Sequence, residues 1–225
     1  HDYFSDQGLL RGREPVTEPE YLTDAIGREG AGFIWRNAMR PWFLALTFNA
    51  VHTPMQADDA RLKKFAPIEN KTRRTYAAMM FAMDEAIGRV RAMLAETKQT
   101  ERTLIVFISD NGGPTMPGVT VNGSENAPLR GSKRTTLEGG IRVPFLVTWP
   151  GRLKPAVYDQ PVIQLDAHAT ALAVAGAKAE TPLDGVNLLP YLSGEQTGAP
   201  HSALYWRFGE QLAIRMGDYK LVRYD

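Results

Sequence analysis

The sequence predicts an α/β fold: a mostly parallel sheet flanked by helices, followed by the start of a small antiparallel sheet. Three observations predict it. Two short apolar runs, 42–48 and 103–108, are bounded by turn residues, as strands buried on both faces are. Between them, 72–96 repeats apolar residues at three- and four-residue spacing, the pattern of an amphipathic helix. Strand, crossover helix and strand make a βαβ unit with a right-handed connection. After residue 200 the pattern changes to short alternating segments separated by Gly209-Glu210 and Gly217-Asp218, which marks an antiparallel meander.

The elements follow in chain order. Residues 1–16 are polar and read as irregular. Thr17 with Glu20 forms a capping box, Pro19 suits a first helical turn, and Tyr21, Leu22, Ala25 and Ile26 give the buried stripe, so a helix is predicted from Thr17 toward Trp35. Gly27, Gly30 and Gly32 weaken that prediction. The first strand, 42–48, ends at Asn49-Ala50-Val51-His52-Thr53-Pro54. In the helix 72–96, Tyr76, Met79, Met80, Met83, Ile87, Val90 and Leu94 recur on one face, and the methionines read as core rather than as a cofactor site. The second strand runs into Ser109-Asp110-Asn111-Gly112-Gly113, and a loop rich in Gly, Pro and Asn fills 112–131. A third strand spans 143–149, and a helix over 166–175 takes Asp166 as N-cap and Gly176 as C′ residue. Segments 203–208, 212–216 and 219–223 form the meander, with an unpaired edge. This gives an α/β domain over 1–200 and the beginning of an antiparallel subdomain over 201–225. Lys63-Lys64 and Arg73-Arg74 read as solvated faces.

Composition narrows the function. The 225 residues are 44% apolar and 23% charged, an ordinary globular mix that excludes disordered and collagenous chains. No apolar run approaches the roughly 20 residues of a spanning helix, so no membrane partner is expected. Lys and Arg total 26 against 25 Asp and Glu, so bulk charge attracts neither nucleic acid nor an anionic surface. The absence of cysteine excludes disulfides, thiolate metal sites and a cysteine nucleophile within the chain. The chain begins with His1 and shows no signal peptide, so it is expected to start after processing or to be a piece of something longer.

Ligands of open α/β sheets collect outside the carboxyl ends of the strands. His52 follows the first predicted strand, Asp110 and Asn111 follow the second, and Lys133 lies in the loop before the third, so the fold is expected to bring all four to one rim. Asp110 and Asn111 offer adjacent hard oxygen donors suited to Ca²⁺ or Mg²⁺, though Asp-Asn-Gly is also a good turn sequence. Ca²⁺ takes about 6–8 oxygens, so further ligands must come from elsewhere. Lys133 and His52 suit charge neutralisation at a tetrahedral anion, and His52 can also donate a proton. Glu138 and Arg142, around Gly139-Gly140, read as a supporting pair for the loop that bears Lys133.

These segments resemble the formylglycine-dependent sulfatase (arylsulfatase-like) family of the alkaline-phosphatase-like superfamily. The resemblance rests on Ala50-Val51-His52-Thr53-Pro54, Phe107-Ile108-Ser109-Asp110-Asn111-Gly112-Gly113, Asn126-Ala127-Pro128-Leu129-Arg130-Gly131-Ser132-Lys133 and Glu138-Gly139-Gly140-Ile141-Arg142-Val143-Pro144, in the family's order. Leu165-Asp166, Ala175-Gly176, Leu183-Asp184-Gly185-Val186 and Met216-Gly217-Asp218-Tyr219-Lys220-Leu221-Val222 extend it to nearly the whole chain. The resemblance implies sulfate ester hydrolysis on a small molecule or sulfated glycan, with Asp110 and Asn111 as calcium ligands (magnesium fits less well). It implies that Lys133 contacts the sulfate and that His52 contacts the sulfate or leaving-group oxygen. It also favours a periplasmic or secreted location.

The family's nucleophile is a formylglycine made within Cys/Ser-x-Pro-x-Arg, and this chain contains neither that motif nor the family's paired aspartates and Lys-x-His segment. The expectation is a central and C-terminal part of a sulfatase that is inactive alone, its formylglycine lying in a preceding part. Such a part should expose sheet edges and associate with itself or with a complementary fragment. Two other functions are compatible with the residues: a phosphonate or phosphodiester hydrolase of the same superfamily, and a non-catalytic binding or scaffolding remnant of the fold.

Overall fold

A computed structural model describes residues 8–116 and 120–224, and the chain divides into two units. The first is His1–Thr100 with Pro117–Glu125, and the second is Glu101–Met116 with Asn126–Asp225.

In the first unit, β1 (Leu10–Arg11) and β2 (Glu14–Pro15) pair as a minimal antiparallel hairpin within the stretch read as irregular, whose residues 1–7 lie outside the described residues. Helix α1 (Leu22–Arg36) starts later than Thr17 predicts, with Tyr21 as N-cap and no side-chain cap bond. The reason is electrostatic. Glu20, which would close the capping box, pairs with Arg28 instead, and Glu18 holds the same guanidinium at 2.6 Å. Helix α2 (Asp59–Lys64), which the sequence reading missed, is capped by Asp58, whose carboxylate accepts from the Arg61 N–H at 2.8 Å. Helix α3 (Lys71–Glu96) matches its predicted span, with Asn70 accepting from the Arg73 N–H at 2.9 Å.

The core of this unit forms around Tyr21, Met79 and Ala82, so Met79 and Met83 are core packing as read from their spacing, while Met80 of the same predicted stripe is exposed. The glycines of α1 have a packing reason. A Cβ at Gly27 would lie 2.7 Å from the Ala86 Cβ on α3, and one at Gly30 would lie 2.8 Å from Leu46. Arg61 ties three helices together: its guanidinium meets both Asp24 oxygens at 2.8 and 2.9 Å, Asp58 at 2.7 Å and Glu85 at 2.7 Å. These acidic partners hold the Arg61 guanidinium more firmly protonated than usual.

The expected strand 42–48 is not one. The segment joins no sheet among the described residues. Trp42, Leu44, Leu46 and Phe48 are half-buried on one side, while Phe43 on the other is 75% exposed. A continuous apolar run signals burial on both faces, and here only one face is covered. The βαβ unit is therefore not formed among the described residues.

In the second unit, β3 (Ile105–Ile108) pairs with β4 (Phe145–Thr148) antiparallel, Ile105 opposite Thr148 and Ile108 opposite Phe145. Every strand pairing among the described residues is antiparallel, so these residues do not show the expected mostly parallel sheet. A parallel neighbour needs a crossover, usually a helix, whereas a loop and the short helix α4 (Glu138–Ile141) return the chain directly alongside β3. Helix α5 (Leu165–Val174) is capped at Gln164, not Asp166, and closes with Gly176 at φ +65°. Asp166 sits inside the first turn, wholly buried, and accepts from the backbone N–H groups of Ile163 and Val186 at 2.8 Å and from His201 Nε2 at 2.8 Å. After α6 (Leu189–Ser193), strands β5 (Leu204–Phe208), β6 (Gln211–Met216) and β7 (Tyr219–Arg223) form the predicted meander, whose β5 and β7 edges pair with no other strand among the described residues. Among the described residues, no helix is long and apolar enough to cross a membrane.

Candidate active site

Asp110 and Asn111 leave the end of β3, where Ser109 N–H makes a last bond to Pro144 O at 3.3 Å. The next residue cannot carry a side chain: a Cβ at Gly112 would lie 1.8 Å from Gly139 O. Gly112 N–H donates to Gly140 O at 2.9 Å across this contact. The Gly139-Gly140 pair is thus needed for close backbone approach, as the sequence suggested, and without positive φ.

The same network reaches Lys133, whose backbone N–H donates to Gly113 O at 3.1 Å. The Asn126 side chain is its hub, accepting from Gly113 N–H at 2.9 Å and donating to Gly113 O at 2.8 Å and Gly131 O at 3.1 Å. Ser132 Oγ accepts from the Thr115 N–H at 2.9 Å. One hydrogen-bonded loop cluster therefore presents the carboxylate of Asp110, the amide of Asn111 and the half-buried Lys133.

Three supports went unread in the sequence. Gln164 Nε2 donates to both Ser109 O and Asp110 O at 2.8 Å. Lys220 Nζ donates to Thr136 O at 2.9 Å and pairs with Glu138 at 2.6 Å. Gln211 Oε1 accepts from the Thr136 N–H at 3.1 Å. The expected Glu138–Arg142 pair is corrected by these contacts: Glu138 turns to Lys220 because α4 sets it facing β7, and what joins it to Arg142 is the Arg142 N–H bond to Glu138 O at 2.8 Å. The loop with Lys133 is thereby tied to the meander, a long-range contact that no local spacing announces.

His52 belongs to the first unit. It is exposed, on a turn closed by its own N–H to Asn49 O at 2.7 Å. Its Nδ1 donates to Thr53 O at 2.8 Å, which fixes the ring. Buried Asn122 donates to Val51 O at 2.8 Å and anchors the same turn. The structure thus joins Asp110, Asn111 and Lys133 within one network, and holds His52 on a separately braced turn.

The sulfatase family model matches residues 2–177. The chain belongs to the sulfatase family. A second model, for the C-terminal part of N-sulphoglucosamine sulphohydrolase, matches 131–225. The sulfatase YdeN of Escherichia coli, described as uncharacterized, is 32% identical over 210 residues, spanning 91% of this chain and 37% of the relative. N-acetylgalactosamine-6-sulfatase of Canis lupus familiaris is 32% identical over 205 residues, 88% of this chain and 38% of that protein. The crystal structure of Ps i-CgsB in complex with k-i-k-neocarrahexaose superposes at a TM-score of 0.84 with 38% identity, covering 94% of this chain and 48% of that one. The chain therefore spans less than half the length of these relatives.

Proposed function

We propose that the complete protein hydrolyses sulfate esters and that its substrate is a sulfated glycan. The observation that carries this reading is the network that holds Lys133 to the turn of Asp110 and Asn111 through Gly113. The glycan class is supported by the neocarrahexaose complex of one relative and the sugar sulfate in another's name.

The donor set fits a calcium ion in part. Asp110 Oδ1 accepts from Asn111 N–H at 2.9 Å, and Asn111 Nδ2 donates to Gly112 O at 3.1 Å, an orientation that leaves its Oδ1 to a cation. Both are hard oxygen donors, and calcium tolerates their irregular placement better than magnesium, which demands an octahedron. Among the described residues, no group of three or more His, Asp or Glu completes the set. The remaining ligands and the formylglycine are assigned to regions that the relatives have beyond the matched span.

When bound, the ion supplies Lewis-acid polarisation of a sulfate oxygen and the formylglycine supplies the nucleophile. Lys133 brings an ammonium to offset the negative charge of the sulfate oxygens. His52, its ring fixed by Thr53 O, contacts a sulfate or leaving-group oxygen and carries a proton there. A periplasmic or secreted location goes with this reading.

Release of inorganic sulfate from sulfated oligosaccharides by the complete protein tests it. Lys133→Ala should lower kcat by about 10²–10³, as loss of one charge-stabilising donor does. Failure to release sulfate from any glycan or aryl sulfate, or faster turnover of a phosphodiester, would overturn the assignment.

A further inference from the structure

We infer that Gln164 is a positioning residue for the calcium ligands, an assignment that rests on the reading of Asp110 and Asn111 given above. Its side chain amide nitrogen donates to two successive carbonyls, Ser109 O and Asp110 O, each at 2.8 Å. These are the carbonyls of the two peptides that flank Asp110, and the second of those peptides leads into Asn111. A primary amide has two hydrogens, so each carbonyl takes one.

The position of this clamp gives it its effect. Ser109 N–H makes the last bond to the β4 side, at Pro144 O, so the backbone beyond has left the ladder. Beyond it, as far as Asn111, the turn is held among the described residues only by bonds within itself, Asn111 N–H to Asp110 Oδ1 at 2.9 Å and Ser109 Oγ to Asn111 O at 3.0 Å, which move with the ligands they would aim. Gln164 adds a restraint from outside the turn, on a fixed base. It caps α5, whose first turn is held by wholly buried Asp166 through Ile163 N–H, Val186 N–H and His201. Gln164 itself is exposed, so its two bonds do little for the core and act on the turn. Partners that orient metal ligands commonly set affinity 10–100-fold.

Calorimetric titration of Ca²⁺ into the complete protein, stripped with chelator, tests the inference without any turnover. Gln164→Met keeps the length and removes both donors, and should weaken the Ca²⁺ Kd by about 10–100-fold. Gln164→Glu should weaken it too, although an added negative charge alone would tighten it. Melting of the metal-free variants close to the parent verifies the fold, and if one variant does not fold the other decides. A Kd unchanged in Gln164→Met, or tightened in Gln164→Glu, overturns the role of Gln164 while leaving the ligands in place. Absence of Ca²⁺ binding by the parent overturns the ligand assignment and this inference together.

Discussion

Gly140 and Gly88 both lie in helices, and their surroundings predict opposite outcomes for alanine. A Cβ at Gly140 would stand 2.3 Å from Thr135 O and 2.4 Å from Ser132 O, backbone atoms of the loop that bears Lys133. Those atoms cannot move aside without dragging Lys133, so Gly140→Ala should cost about 1–3 kcal/mol in urea unfolding. Gly88 meets nothing within 4 Å on an exposed position of α3. There alanine only reduces the freedom of the unfolded chain, and Gly88→Ala should gain roughly 0.5–1 kcal/mol. The sequence exposed the difference only in part. Gly139-Gly140 stood out as a motif, but its partner across the contact, Gly112, lies in a distant loop whose approach no local pattern specifies. Asn111 and Lys133 stood out in the sequence because their residue types carry chemistry, and the structure joins them in one hydrogen-bonded network. Gln164 did not stand out, since a glutamine before a helix has no distinctive spacing and its function comes from where β3 ends.

At the scale of elements, local periodicity and the pairing of adjacent hairpin strands were legible, and the pairing of distant strands was not. Helix α3 and the meander β5–β6–β7 follow from spacings of three to four and of two residues, which the backbone itself imposes. The antiparallel partner of β3 was misread because an apolar run records burial, not strand direction. The start of α1 was misread because the capping glutamate had a stronger partner in Arg28. That start has a measurable consequence. Tyr21 caps α1, donates its hydroxyl to Gln56 O at 2.9 Å and packs on Met79 and Ala82. Burial pushes its pKa up to about 12 from an ordinary value near 10. The fold thus favours the neutral phenol, a contribution fully present below pH 10 and lost as pH rises through 12. Two pK units correspond to about 3 kcal/mol. Unfolding free energies between pH 9 and pH 12 should fall more steeply for the parent than for Tyr21→Phe, which is expected to be less stable at pH 9 by about 1 kcal/mol for the lost hydrogen bond. Parallel slopes would remove Tyr21 from the alkaline transition.

The whole chain presents apolar surface that its own residues do not cover. On β3 and β4, Phe107 and Leu146 stand directly opposite each other and are 37% and 58% exposed. This two-stranded sheet has free edges on both sides among the described residues. In the other unit, Phe43 is 75% exposed on the unpaired segment 42–48. Free edges with apolar neighbours recruit another strand, and a second copy supplies one wherever nothing else does. The 225-residue chain on its own should therefore associate, its mass by light scattering rising with concentration above the 25.0 kDa of one copy. Leu146→Lys places a charge on the outer face of β4 and should shift that rise to higher concentration, because a solvated ammonium resists burial against Phe107. Coexpressed remainder of the protein should suppress it altogether by covering the same face. A constant mass of one copy at every concentration would mean that these faces are too small to drive contact, and Leu146→Lys would then change nothing.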